Sequence, residues 1–435
     1  MSHAAENRYR KALRTVAGDQ EWTSRAVWPA LVVLAVLSAG GAVALSIVEA
    51  AGHQIDFDIY RMGAGHVLGM HLYDVRLPRS LTGGSRGMHF TYPPFAALLF
   101  LPFAKLSVGP AQAIWSILNA VGVAALTALS IRAVRPEIPI QRAWMIAAVA
   151  LFPLLQLSPD ALTLSYGQVN IFIALLVLLD LSSAIRFGSQ TLPRGILLGI
   201  AAAIKLTPLI FIAFLVVTRQ FRAATAALAA FLLCTLGALV IAPHSSWVYW
   251  STQVFNAKHS GNLLYISDQN LLSAIQRIIG ALLTPVILVP FDALFALGGL
   301  AVAAWAYHAS SPILGILICA TTGLIVSPVS WVHHYVWIVP VLVWLTLGHD
   351  RPRGGRWWAL GAAALFWTAP MWWVTDPQQG YGGPLTLVEG NAFCLAAVAF
   401  IVLTAVRLSW RRRLAGGTEA QASADDSTLF RAQAG

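Results

Sequence analysis

Two carboxylates, Asp56 and Asp58, stand two positions apart in "HQIDFDIYRM" (53–62), the first strongly polar stretch after a long apolar run. A carboxylate beside an attacking hydroxyl can take its proton while the bond to a leaving group breaks, the arrangement that group transfer with inversion needs. In extended backbone both side chains point the same way. If a helix starts at Ile59, Asp58 is instead an N-cap candidate and Asp56 lies freer. The sequence ranks Asp58 first as base, with Asp56 orienting the acceptor or its neighbour; the plainer reading makes both caps and solvating charges. Lys205 sits alone in "AAAIKLTP", where an unpaired ammonium is costly enough to suggest an anionic ligand, although snorkelling to headgroups also accounts for it. His333 and His334 close "SPVSWVHHY"; imidazole donates to phosphate or a sugar hydroxyl, or packs at an interface. Gln168 and Asn170 of "GQVN" carry neutral amides suited to sugar hydroxyls, or to capping the start of a span.

The elements that hold these residues are membrane helices. A chain of 435 residues that is 58% hydrophobic and 11% charged cannot hide its apolar surface in a water-soluble globule. Runs such as 28–48 and 223–242 are charge-free and near the ~20 residues a crossing helix needs, and the alternation of a membrane barrel is absent. The fold class is therefore an all-α polytopic membrane protein. Spans are expected near 27–48, 110–131, 142–157, 168–186, 194–205 with 207–218, 222–242, 284–306, 312–329, 333–347, 357–374 and 390–408, about twelve in all. The segment 93–106 is expected as a short re-entrant or interfacial helix. Cys234, Cys319 and Cys394 fall in apolar runs without metal spacing and read as small core residues.

With these spans most of the 28 Lys and Arg lie on one side, which the positive-inside rule makes cytoplasmic, together with both termini. Residues 1–26 form a basic tail, 27–408 the membrane domain, and 409–435 a tail expected to be disordered. The net charge of +10 is explained by anionic lipid and implies no nucleic acid. Every unusual element then falls on the opposite face: the first loop (49–109), the 157–170 stretch, Lys205, the loop 243–283 and "SPVSWVHHY". A pump or channel scatters ionisable groups through the bilayer midplane. One-sided chemistry instead points to an enzyme acting on lipids with polar heads. Loop 243–283 reads as the acceptor side: Trp247, Tyr249 and Trp250 are interfacial aromatics or sugar-stacking faces, and Asn256, Lys258 and His259 beside them suit an inositol phosphate. Trp331 has the same double reading.

"DFDIY", "YPP" (92–94), "GQVN" (167–170), "KLTP" (205–208) and "SPVSWVHHY" (327–335), in this order, resemble glycosyltransferase family 87. These are GT-C superfamily mannosyltransferases of mycobacteria and related actinobacteria. The resemblance implies a GT-C fold with a periplasmic active site. The implied reaction is an inverting α-1,2 transfer of mannose from polyprenyl-phosphate-mannose to a phosphatidylinositol mannoside or larger lipoglycan. It places the essential Asp in the first loop; the side chains themselves suggest Lys205, His334 and His333 for the donor phosphate, with the acceptor headgroup as the alternative for His334, and Tyr92, Gln168, Asn170, Asn256, Lys258, His259 and Trp331 for sugar or acceptor. An Asp-x-Asp pair also evokes a metal, but a donor with one phosphate does not call for one, so no cofactor is expected. A lipomannan mannosyltransferase or arabinofuranosyltransferase of the same fold fits these motifs too. A lipid or solute transporter would need inverted repeats, which the sequence lacks.

The orientation is open to direct measurement. In a background without the native cysteines, Ser80→Cys or Ser260→Cys is expected to react with an impermeant reagent added outside intact cells; labelling of Ser189→Cys or Gly354→Cys instead would overturn it.

Overall fold

A backbone in hydrocarbon must satisfy its own N–H and C=O groups, and apolar runs without charges do so as helices. The computed structural model describes residues 27–52, 54–77, 87–182, 186–187, 190–255, 265–279, 285–374 and 383–433, and helices dominate throughout. Among these residues a two-residue antiparallel hairpin, Arg186–Phe187 with Gln190–Thr191, departs from the all-α expectation. Among the described residues five helices are long and apolar enough to cross a membrane: Trp28–Glu49, Val108–Val134, Phe221–Ile241, Val289–Ala309 and Ala392–Leu414. A sixth crossing is available if Ile140–Leu155 and Ser158–Tyr166, bent 81° apart, are taken together. The remaining expected spans are shorter helices, among them Asn170–Ser182, Ile196–Ile204, Leu209–Val217 and Pro312–Val326. Exposed Leu37, Leu233, Val240 and Leu297 mark faces that only lipid could cover at this apolar density.

Proline and glycine explain where the helices stop. Pro93, in extended backbone, precedes Pro94 at the first helical position, and the segment expected to be re-entrant folds as two short helices, Pro94–Leu99 and Leu101–Ala104. Pro159 cannot donate, so the helix restarts at Ser158 after the bend. Ser158–Tyr166 ends at Gly167, whose left-handed φ of 69° suits a residue without a side chain. Ile196–Ile204 ends as Lys205 turns extended (φ −148°, ψ 132°), and Pro208 opens Leu209–Val217. A 3-10 segment, Val332–Trp337, follows extended Trp331 and leads into Ile338–Leu347.

Close backbone contacts fix these pieces. Gly195 and Gly199 lie against Ala223 and Ala227 of the Phe221–Ile241 helix, a small-residue seam that lets two backbones meet. The Pro285–Ala309 and Pro312–Val326 helices pack as a hairpin. At the chain's end the helix runs Ala392–Gln433, through residues whose composition reads as a disordered tail.

Candidate active site

The first carboxylate pair sits on a helix that begins earlier than its sequence pattern implies. The helix is Ile55–His66, so both Asp56 and Asp58 lie in its first turn, where the helix dipole favours anions. Neither caps it: the N-cap is Gln54, whose side chain donates to Ser116 Oγ of the Val108–Val134 helix. Two residues along a helix are turned by roughly 200°, and the two carboxylates accordingly face different partners. Asp58 accepts Gln112 Nε2 at 3.2 and 3.1 Å and lies 3.7 Å from Arg61. Arg61 also donates to the carbonyls of Phe103 (3.1 Å) and Leu106 (2.5 Å).

Asp56 faces the other way, into a continuous polar array. Its Oδ2 accepts Gln168 Nε2 at 2.6 Å. The Gln168 carbonyl accepts the hydroxyls of Tyr60 (2.9 Å) and Tyr92 (3.3 Å) and, at 3.5 Å, the amide of Asn170. Asn170 donates to the His333 carbonyl at 3.0 Å and accepts Lys205 Nζ at 2.8 Å. Lys205 Nζ is 3.0 Å from His334 Nε2 and 5.3 Å from the Tyr92 ring centre, within cation–π range. With Lys205 as an ammonium, which only donates, His334 Nε2 is the acceptor and its imidazole is neutral with the proton on Nδ1. His334 also bonds the Val329 backbone.

Local structure dictates each position. Gly167 swings the chain so that Gln168 N–H reaches Thr163 O at 2.9 Å, while Trp115 Nε1 donates to Gly167 O at 2.8 Å. The helix break at 205–208 lets Lys205 leave an apolar helix and turn toward Asn170. Asp56 lies in the loop helix outside the spans. Burial pushes its carboxyl up to about 6, against the opposing pull of the Gln168 hydrogen bond and the Lys205 charge. Lys205 lines a small, partly open cavity that is polar at Asn170, Lys205, Ser330 and His334 and apolar along Pro208, Phe211, Leu324 and Trp337.

Of the residues singled out by sequence, Asp56, Tyr92, Gln168, Asn170, Lys205 and His334 are thus joined in one array. Asp58 stands at its edge on a separate set of partners. His333 backs the array, edge-on to Tyr166 and His334, its buried ring nitrogens without a hydrogen-bond partner among the described residues. Trp331 lies 6.3 Å from the Tyr265 ring, with its backbone bridged to Asp268. Asn256, Lys258 and His259 lie outside the described residues. Sequence reasoning passed over Tyr60, Arg61 and Gln112. The signal for the last was present: Gln112, Ser116 and Asn119, at i, i+4 and i+7, mark one polar stripe on an otherwise apolar span.

Comparison with known proteins gives this site its setting. The model of glycosyltransferase family 87 matches residues 90–328, more than half of the chain. The chain belongs to glycosyltransferase family 87. It is 34% identical over 356 residues to a polyprenol-phosphate-mannose-dependent α-(1-2)-phosphatidylinositol mannoside mannosyltransferase of Mycobacterium tuberculosis H37Rv, covering 75% of this chain and 78% of that protein. The protein of the same description from Mycolicibacterium smegmatis is 31% identical over 376 residues, 81% of this chain and 83% of its own. A phosphatidylinositol pentamannoside mannosyltransferase of Mycobacterium tuberculosis CDC 1551 is 28% identical over 400 residues, 88% and 86% of the two chains. This is a multi-pass membrane glycosyltransferase, and its polar array lies among its apolar helices.

The Gly167 turn yields a test of how tightly the array is set. A Cβ at Gly167 would stand 2.5 Å from Phe57 Cβ, at a φ that costs an L-residue about 1–2 kcal/mol. Gly167→Ala is expected to lower the thermal midpoint of the detergent-purified protein and, by displacing Gln168, its transfer rate.

Proposed function

We propose that this chain transfers mannose from polyprenyl-phosphate-mannose to a phosphatidylinositol mannoside, forming an α-1,2 bond with inversion, and that Asp56 is the general base. The observation that carries the reading is the array itself: a carboxylate at one end and the Lys205 ammonium beside a neutral His334 at the other, joined through Gln168 and Asn170. The names of the relatives supply the donor and acceptor.

In this mechanism the acceptor 2-hydroxyl attacks the anomeric carbon while Asp56 takes its proton. The bond from that carbon to the phosphate oxygen breaks and its electron pair stays on the phosphate. Lys205 meets the developing charge with its ammonium and His334, re-oriented, with the N–H of its neutral imidazole. Inversion to an α product requires a β-linked donor sugar. The amphipathic cavity below Lys205 suits a phosphate joined to an isoprenoid chain. Asp58, occupied by Gln112 and Arg61, holds the helix that carries Asp56; this reverses the order of the two carboxylates suggested by sequence. Polyprenyl-phosphate-mannose acts as co-substrate, and the reaction is written with side chains alone, without a metal or other cofactor.

With this reading goes a GT-C architecture of about twelve passages, both termini cytoplasmic, and loops 49–109 and 243–283 facing the periplasm. The site opens there to lipid acceptors, and Trp331 at its rim is available to stack on a sugar ring.

Assays of the purified protein with polyprenyl-phosphate-mannose and a panel of mannosylated phosphatidylinositols test the proposal. Asp56→Asn is expected to reduce turnover by ~10²–10⁴ with both substrates still bound, and Asp58→Asn to cost far less. The opposite order would hand the base to Asp58. Because only the ionised base works, kcat/KM should fall as pH drops below about 6 in the wild type. A phosphodiester donor has no proton to gain in that range. Lys205→Met should weaken donor binding by about 1.5–3 kcal/mol, the contribution of a charged hydrogen bond; unchanged donor affinity returns Lys205 to a snorkelling role.

A further inference from the structure

A second buried polar cluster lies beside the array, on residues the mechanism does not use. Ser267, Asp268, Gln269 and Asn270 are each almost fully buried and precede the helix Leu271–Ile279. They run alongside residues 327–334, the strap that carries Ser330 and His334. Up to Trp331 the strap is extended at Ser327 and Trp331 and has a proline at 328, so this part has no helical ladder of its own; the 3-10 segment that carries His334 begins only at Val332. Its backbone borrows partners from 267–270 instead. Ser330 N–H donates to Asp268 Oδ1 at 2.7 Å and Ser330 O accepts Gln269 N–H at 2.7 Å. Val332 N–H donates to Ser267 O at 2.9 Å, and Asn270 Nδ2 to Pro328 O at 2.9 Å. Tyr335 Oη closes the far end on Gln269 O at 2.6 Å.

The clamp is itself anchored. Asp268 Oδ2 accepts Ser273 Oγ (3.2 Å) and Asn270 Nδ2 (3.3 Å), and Arg277 Nη2 donates to Asp268 O at 2.7 Å. Arg277 also holds Asn391 Oδ1 at 3.0 and 2.8 Å, at the start of the Ala392–Gln433 helix. A buried network whose members satisfy one another is stiff, and removing one partner leaves the rest unpaired. One group stands outside this bonding. The Ser330 hydroxyl is buried, has no partner among the described residues, and belongs to a residue lining the same cavity as Lys205 and His334.

We propose that Asp268 is a positioning residue: it sets the strap so that the Ser330 hydroxyl and the His334 imidazole both reach the donor phosphate. The proposal rests on the reading above that His334 meets that phosphate. Asp268 touches no substrate and acts only through the strap.

A double-mutant cycle on the full-length protein tests it, with apparent KM for polyprenyl-phosphate-mannose and for the acceptor as readouts. Asp268→Asn keeps the size but sets an amide N–H against the donors Asn270 and Ser273. It is expected to raise donor KM by roughly tenfold, the order of one lost charged hydrogen bond, and leave acceptor KM within about twofold. In a His334→Ala background the same substitution should cost much less, because groups acting through one another are not additive. Ser330→Ala should raise donor KM alone. An equal penalty in both backgrounds, or a parallel rise in both KM values, overturns the proposal and makes Asp268 a general stability residue. If Asp268→Asn does not accumulate in membranes, Ser273→Ala, which removes one donor to the carboxylate, takes its place with the same two outcomes. His334→Ala with unchanged donor KM is a separate result: it removes the donor-site reading itself.

Discussion

An ammonium set among apolar helices has to be compensated where it stands, and Lys205 is that group here. Its half-buried nitrogen is held by Asn170, His334 and the face of Tyr92, with the Asp56 carboxylate further along the same array. Desolvating an unpaired cation costs several kcal/mol, so these partners and the helix break that brings Lys205 to them are parts of one solution. The break at 205–208, the Gly167 turn and the strap at 327–331 are three of the places where regular helix gives way. Each of them delivers a member of the array.

The division between the two carboxylates follows from helix geometry alone. Had 53–60 been extended, Asp56 and Asp58 would have shared a side and competed for one substrate. In a first helical turn they are turned apart, and the chain can spend them differently. One is tied to Arg61 of its own helix and to the Gln112 amide of the Val108–Val134 helix, the other bonds Gln168 in the polar array and has its carboxyl raised to about 6 by burial.

Much of this was legible in the sequence. Charge-free runs announced the membrane helices, and the motifs "DFDIY", "GQVN", "KLTP" and "SPVSWVHHY" singled out in the sequence supply Asp56, Gln168, Asn170, Lys205 and His334 of the array. What did not read out depends on boundaries and on distant pairing. Whether the helix begins at Ile55 or Ile59 is a one-turn difference, within the scatter of pattern-based boundaries, yet it decides which Asp faces Gln168. Gln112 and Gln168 meet the carboxylates from 54 and 112 positions away, a pairing no local pattern encodes. Local breaks add to this: Pro159, Pro208 and Gly167 cut apolar stretches into helices shorter than the runs from which the spans were read. The burial of Asp268 was hidden as well, because a run of four polar residues in a loop looks solvated until its tertiary partners are seen.

The two amides between Lys205 and Asp56 have a further consequence. From Lys205 Nζ to Asn170 Oδ1, from Asn170 Nδ2 to Gln168 Oε1, and from Gln168 Nε2 to Asp56 Oδ2, every bond runs donor to acceptor in one direction. Such a chain passes polarisation along its length, so the charge at one end is felt at the other. Carboxamides, however, neither give up nor take on protons in the neutral range. The two ends of the site are therefore coupled electrically and insulated protonically. A proton taken up at the carboxylate is not handed along these two amides to the cation.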